Sequence, residues 1–378
     1  MSSDEEIYRR LQRHLHAQAV GFPATPSGAD LRLLERLFTP EEAKVALHLS
    51  YSPDPIGRIV ERTAQELSAD ETGRLLESMF AKGAIGWKEK EGTPHWYLMP
   101  LVLGMYEAQD GDPTPEFLEN ASAYMKTLSW GKAFLVAHPP QMRTIPVDIS
   151  IPVDHPIATY DHIRGIVEGS RGPFVALKCI CRQASAMHGA PCTKTSRLET
   201  CLGFGDMAAM VLRRNHGRAV TREEVLAILR QNQDDGLVLQ PSNARNPEFV
   251  CSCCGCCCGM LSFQKNLPRP IDFWTSNFSA EVSLDACTHC GKCVSRCQVD
   301  AVALSGPSGK AEVNPGRCIG CGLCVPTCPS HAIRLKKKER EAVPPENEEA
   351  LYEEIMANKS KAGERLRLAL KGALGIRK

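Results

Sequence analysis

No cysteine occurs before residue 179, and the chain has no long apolar run, no strong net charge and no glycine-rich phosphate loop. The missing apolar run excludes a helix that crosses a bilayer. The 45 Lys and Arg nearly balance the 44 Asp and Glu, leaving a net charge of +1, so no whole-molecule field draws the chain to nucleic acid or an anionic membrane. The opening MSSDEEIYRR is polar and acidic and lacks the apolar core of a secretory signal, so a cytoplasmic location is expected. Without a dinucleotide fingerprint or a credible nucleophile–base pairing, no catalytic residue is assigned. The 378 residues suffice for two or three domains.

Cysteine is what the second half has in abundance. The 18 cysteines fall in bursts, and neighbours such as Cys253 and Cys254 diverge too much for a regular disulfide framework. In a long chain without an export signal, thiolate ligation of metal in a reducing compartment is the better reading. The two C-terminal bursts are the most specific. Cys287, Cys290, Cys293 and Cys297 are spaced C-x2-C-x2-C-x3-C, and Cys318, Cys321, Cys324 and Cys328 repeat that spacing, followed by Pro329. Val282, Gly291, Ala301 and Leu304 recur 31 positions later as Val313, Gly322, Ala332 and Leu335, so two pseudo-symmetric halves share one small core. Eight cysteines in this order do not suit a zinc site, which needs two pairs.

This run, over about 279–335, resembles the bacterial-type two-[4Fe–4S] ferredoxins. The resemblance implies two cubane clusters whose fourth ligands are exchanged. One would be held by Cys287, Cys290, Cys293 and Cys328, the other by Cys318, Cys321, Cys324 and Cys297. Gly291 and Gly322 would let the backbone approach the clusters. Two departures stand out. Cys297 is followed by Gln298 instead of proline, and Glu281, Asp285, Asp300 and Glu312 are offset by Lys292, Arg296, Lys310, Arg317 and Arg334. Free ferredoxins of this type are acidic, so the near-neutral module reads as part of a larger assembly. His289 lies in a cluster loop without being read as a ligand.

Further upstream, Cys179, Cys181, Cys192 and Cys201 span 23 residues and fit a third iron–sulfur cluster or a zinc ion, with unligated thiols as the remaining reading. Arg182, beside the first pair, would offset thiolate charge. Cys251, Cys253, Cys254, Cys256, Cys257 and Cys258 crowd six thiols into eight positions, more than one centre can use. They supply ligands to the 179–201 centre, build a further centre, or form a redox-active dithiol. His155, His162, His188 and His216 lie nearby in sequence and are read as surface or capping residues. CICR…C…CLGFG, the dense cysteine run and the opening GFPATPSGADLRLLERLFTPEEA together resemble a group of anaerobe-type iron–sulfur proteins described as ferredoxin-like, which says little about a substrate.

The cysteine-free half reads as helical. Thr39 with Glu42 and Ser68 with Glu71 form capping boxes, the second before an apolar stripe of Leu75, Leu76, Met79 and Phe80 that should stop at Gly83. Ile56 to Leu67 reads as a helix between them, and Trp87 to Leu98 as a hairpin. Helices followed by a two-stranded wing resemble a winged-helix domain. Asp70, Glu71 and Glu77 against Arg74 and Lys82 make the candidate recognition helix a poor phosphate surface, so docking or dimerisation is favoured over DNA binding. TIPVDISIPV (144–153) and PFVALKCIC (173–181) read as strands, and Thr221 with Glu224 caps another helix.

The expected fold class is multidomain α+β. It comprises a winged-helix-like region (1–104), a helical connector (105–145), a cysteine-rich middle (146–278), a two-cluster βαβ repeat (279–335), and a charged linker with a basic helical tail (336–378) that would touch a partner or a membrane surface. The function expected is electron transfer as a relay subunit or adaptor serving redox partner proteins. A redox-responsive winged-helix regulator and a redox enzyme using the middle cysteines are the alternatives.

Overall fold

The computed structural model describes residues 3–111, 113–151, 158–306, 309–361 and 363. The chain divides into two compact units. One runs from the N-terminal helix to His138 and includes Asp206–Arg218 and the described residues from Tyr352. The other contains Pro139–Gly205 and Ala219–Leu351. Residues on either side of position 279 thus belong to the same unit. Most of the basic tail lies outside the described residues.

The first unit follows the capping signals. Thr39 accepts a hydrogen bond from the Glu42 N–H, and the Glu42 carboxylate accepts one from the Thr39 N–H, closing the box that starts helix Pro40–Ala46. Ser68 and Glu71 do the same for Ala69–Ala81, and Gly83, at φ +71°, turns the chain out of it. Asp54–Pro55 leads directly into helix Ile56–Thr63. Strands Ile85–Lys90 and Thr93–Leu98 then pair antiparallel with Trp87 opposite Trp96, and Asp54–Pro55 lies on the far edge of the second strand. Leu33, Leu34, Leu76, Met79 and Trp96 form the buried centre. From the later segment, Arg213 places its guanidinium 4.4 Å from the Trp87 ring centroid and 4.8 Å from that of Phe80, and pairs with Glu77 at 2.7 Å.

The second unit is built on a five-stranded sheet. Its order is Arg218–Val220, Phe174–Lys178, Glu199–Phe204, Phe249–Cys253 and Val238–Pro241. Helix Arg222–Asp234, started by the Thr221–Glu224 capping box, buries Val225, Ile228 and Leu229. Its buried Asn232 donates to the Thr200 carbonyl at 3.0 Å and the Ser252 hydroxyl at 2.8 Å, fixing the helix to two strands.

Residues 144–151 depart from the strand expectation. They form no strand, because successive N–H groups find different partners: Thr144 bonds Thr275, Ile145 bonds Leu239, and Val147 bonds Cys321. Pro146 has no N–H to continue a ladder, and Asp148–Ser150 closes into a short 3-10 turn. The second expected strand is also shorter. Phe174–Lys178 is extended, but Cys179 caps helix Ile180–Met187, which contains Cys181.

After Thr275 come two antiparallel pairs. Phe278–Val282 pairs with Ile333–Lys337, and Val302–Ser305 with Lys310–Val313, flanking helix Lys292–Arg296. The registers Val282–Ile333 and Val302–Val313 map onto each other under the 31-residue repeat, so each half supplies one strand to each pair.

Candidate metal centres

The ten upstream cysteines separate into two groups. Cys179, Cys181, Cys258, Cys253, Cys251 and Cys201 lie together as a closed ring in that order, each thiol interacting with the two beside it. Strand geometry explains the placement. Cys251 and Cys253 alternate with Ser252 and so point to one face of Phe249–Cys253. Cys201 lies on the adjacent strand, while Cys179 and Cys258 cap helices Ile180–Met187 and Gly259–Lys265. The ring interactions favour the ionised form of Cys179, Cys251 and Cys258, taking Cys251 to about 6, and the neutral form of Cys181, Cys201 and Cys253.

Cys192 is not with Cys179, Cys181 and Cys201. It sits with Cys254, Cys256 and Cys257, whose four Sγ atoms all lie within 4.8 Å of one another. The 23-residue spacing invited the wrong grouping, because residues 188–198 form an irregular excursion between helix Ile180–Met187 and strand Glu199–Phe204 that carries Cys192 to Cys254 and Cys256. The Arg182 guanidinium, only 2% exposed, donates to the Ser252 carbonyl at 2.9 Å and approaches Cys254 Sγ at 3.9 Å. Burial opposes its charge, but the sulfurs around it, Cys179 first, more than restore it.

The histidines lie elsewhere. His162 Nε2 is 2.6 Å from Asp148, and His216 pairs with Asp110 at 3.3 Å. His155 falls outside the described residues, and no contact places His188 on a thiol.

In the repeat region, Cys287, Cys290, Cys293 and Cys328 line one pocket together with Leu304, Ala311, Ala332 and Ile333. Cys297 lies with Cys318, Cys321 and Cys324. Burial raises these three thiols, Cys321 to about 12, and the Cys297 charge adds to the rise in each. Four alanine N–H groups donate to cysteine sulfurs: Ala280 to Cys318 at 3.3 Å, Ala311 to Cys287 at 3.4 Å, Ala301 to Cys297 at 3.2 Å, and Ala332 to Cys328 at 3.3 Å. These pairs are related by the repeat. Residues 280–335 match the family model described as a 4Fe-4S dicluster domain, and residues 317–359 match a second of the same description. The C-terminal region is a ferredoxin-like 4Fe-4S dicluster domain. No curated protein and no solved structure matches the chain.

Within the dicluster domain the two halves differ in exposure. The loop around Cys287 and Cys290 is largely exposed, whereas Cys318, Ile319 and Gly320 are buried. His289, at φ +58°, occupies the left-handed position that Gly320 holds at φ +68° in the other half. A Cβ on Gly320 would come within 2.2 Å of the Phe278 carbonyl, so only the exposed half can carry a side chain there. The alanine donors Ala280 and Ala311 were missed from sequence, although they lie one repeat apart on equivalent strands of the two pairs.

Proposed function

We propose that this chain is an iron–sulfur electron-transfer protein, acting as a relay subunit or adaptor for a partner oxidoreductase. The observation that carries the reading is the crossed arrangement of Cys328 with Cys287, Cys290 and Cys293, and of Cys297 with Cys318, Cys321 and Cys324. Each set offers four thiolates to one cubane, and the residues present fit the group: cysteine sulfur lines the cavity, and backbone N–H groups are aimed at the sulfurs. The clusters supply one-electron redox chemistry; the chain positions them, lowers their solvent access and sets their potential through N–H···S bonds.

A built-in relay, as opposed to a free shuttle, is supported by where the domain's positive charges go. Arg296 donates to the Gln233 and Asp234 carbonyls at 2.8 and 3.0 Å, and Arg317 to the Lys265 and Leu267 carbonyls at 2.8 and 2.9 Å. Two of the five cations that neutralise the module, Arg296 and Arg317, are thus anchors within its own unit. The exposed half, with Cys290 at the surface, is the entry for electrons from a donor, and the buried half is the inner station.

The helix, short strand, two helices and hairpin of the first unit support a winged-helix-like docking module. Glu77, on the helix that would read DNA, is engaged by Arg213, and this acidic surface favours a protein partner over phosphate.

The test is transfer itself. Reduced methyl viologen should reduce the anaerobically purified chain, which should then reduce cytochrome c. C290S with C321S should abolish this throughput. Equal throughput in that variant would reject the relay.

A further inference from the structure

Beyond the two cubanes, we infer that Cys192, Cys254, Cys256 and Cys257 bind a single thiophilic metal ion of the zinc(II) or iron(II) class, in a closed tetrahedral site of its own. The sulfur separations carry this. Cys192 Sγ lies 3.6 Å from Cys254 Sγ and 3.8 Å from Cys256 Sγ, and Cys256 Sγ lies 3.7 Å from Cys257 Sγ. Four sulfurs around one ion at a metal–sulfur distance of about 2.3 Å stand about 3.8 Å apart along each edge of the tetrahedron. A cubane places each terminal thiolate on a different iron, so its four sulfurs must be much farther apart. Among the described residues, neither dicluster set has three sulfurs within 4.8 Å of one another. The same chain therefore holds its cysteines at two distinct spacings, and the tetrad has the mononuclear one.

Chemistry and charge agree. All four donors are soft sulfurs with no carboxylate or histidine among them, the set that selects zinc or iron. Four thiolates on a divalent ion leave two negative charges. Arg182 stands 3.9 Å from Cys254 Sγ, buried and held by the Ser252 carbonyl and the Thr200 hydroxyl, and offsets one of them. Binding converts thiols to thiolates and releases their protons to solvent. With all four positions filled by protein, no site stays open for substrate, so the ion is structural. It closes the 188–198 excursion onto the 254–257 turn, joining two segments that no strand pairing connects.

Metal, iron and acid-labile sulfide are measured on the anaerobically purified full chain and on C192S/C256S. The expected result is loss of one metal ion, as zinc or as one iron atom, with sulfide unchanged. Unchanged metal, or loss of iron together with about four sulfides, would overturn the proposal. Should the variant fail to fold, the wild-type chain grown with cobalt(II) decides. Tetrahedral thiolate–cobalt visible bands support the site, and their absence overturns it. Neither readout depends on electron throughput, so the relay can fail while this site stands.

Discussion

The backbone N–H of Gly255 donates to Oε1 of Gln298 at 2.9 Å, joining the dense cysteine run to the residue that follows Cys297. The same side chain donates from Nε2 to the Gly236 carbonyl at 3.0 Å and is only 3% exposed. A proline at 298, as in the other half of the repeat, has neither group. The glutamine that breaks the family pattern is therefore, with Arg296 and Arg317, one of the residues that fasten the dicluster domain to its surroundings.

Q298A leaves a half-buried N–H and a buried carbonyl unpaired, a cost of about 2 kcal/mol. The thermal midpoint of the second unit should fall by several degrees, as followed by loss of cluster absorbance. A midpoint equal to wild type would show that the bridge contributes nothing.

Gly320 and Gly291 share the left-handed backbone but not the space around it. A Cβ at 320 meets the Phe278 carbonyl at 2.2 Å and Ser276 Oγ at 2.6 Å, while one at 291 meets nothing nearer than Leu304 at 3.7 Å. G291A should cost about 1 kcal/mol of backbone strain and keep its iron. G320A should lose about half the iron of the dicluster domain, read by iron analysis after anaerobic purification; equal iron in both would contradict the packing argument.

Chelator attack should follow exposure. Bathophenanthroline added to the oxidised chain should remove iron in a fast phase from the Cys290 side and a slow phase from the buried side. C290S should lack the fast phase. A single phase in wild type would mean that the two halves are equally reachable.

Arg213 lies over three aromatic rings and pairs with Glu77. R213A should lower the stability of the first unit by about 1–2 kcal/mol and shift the emission of Trp87 and Trp96 to the red. An unmoved spectrum and midpoint would leave the arginine without a packing role.

How much the sequence disclosed depended on how local each determinant was. Capping boxes at Thr39, Ser68 and Thr221 are three-residue relationships, and all three helices start there. The dicluster ligands lie in two runs whose spacing carries the geometry. The middle cysteines come from two strands, two helix starts and a loop, so spacing alone put Cys192 in the wrong set. The alternation of Cys251 and Cys253 about Ser252 was a legible strand signal. That Cys254 would turn away toward Cys192 was not, since it depends on where the 188–198 excursion returns. The hydrophobic run at 144–151 misled because it is buried like a strand but bonded to three different places.

The central claim is that Cys287 to Cys328 hold two cubanes with exchanged fourth ligands. Iron and acid-labile sulfide per folded chain, compared between wild type, C328S and C297S, test it most directly. C328S should deplete the cluster of Cys287, Cys290 and Cys293, and C297S that of Cys318, Cys321 and Cys324, each losing up to about four irons and four sulfides and, under reduction, one of two interacting paramagnetic signals. Fewer than about eight irons in the intact wild-type chain, or signals lost from the opposite cluster in each variant, would contradict it.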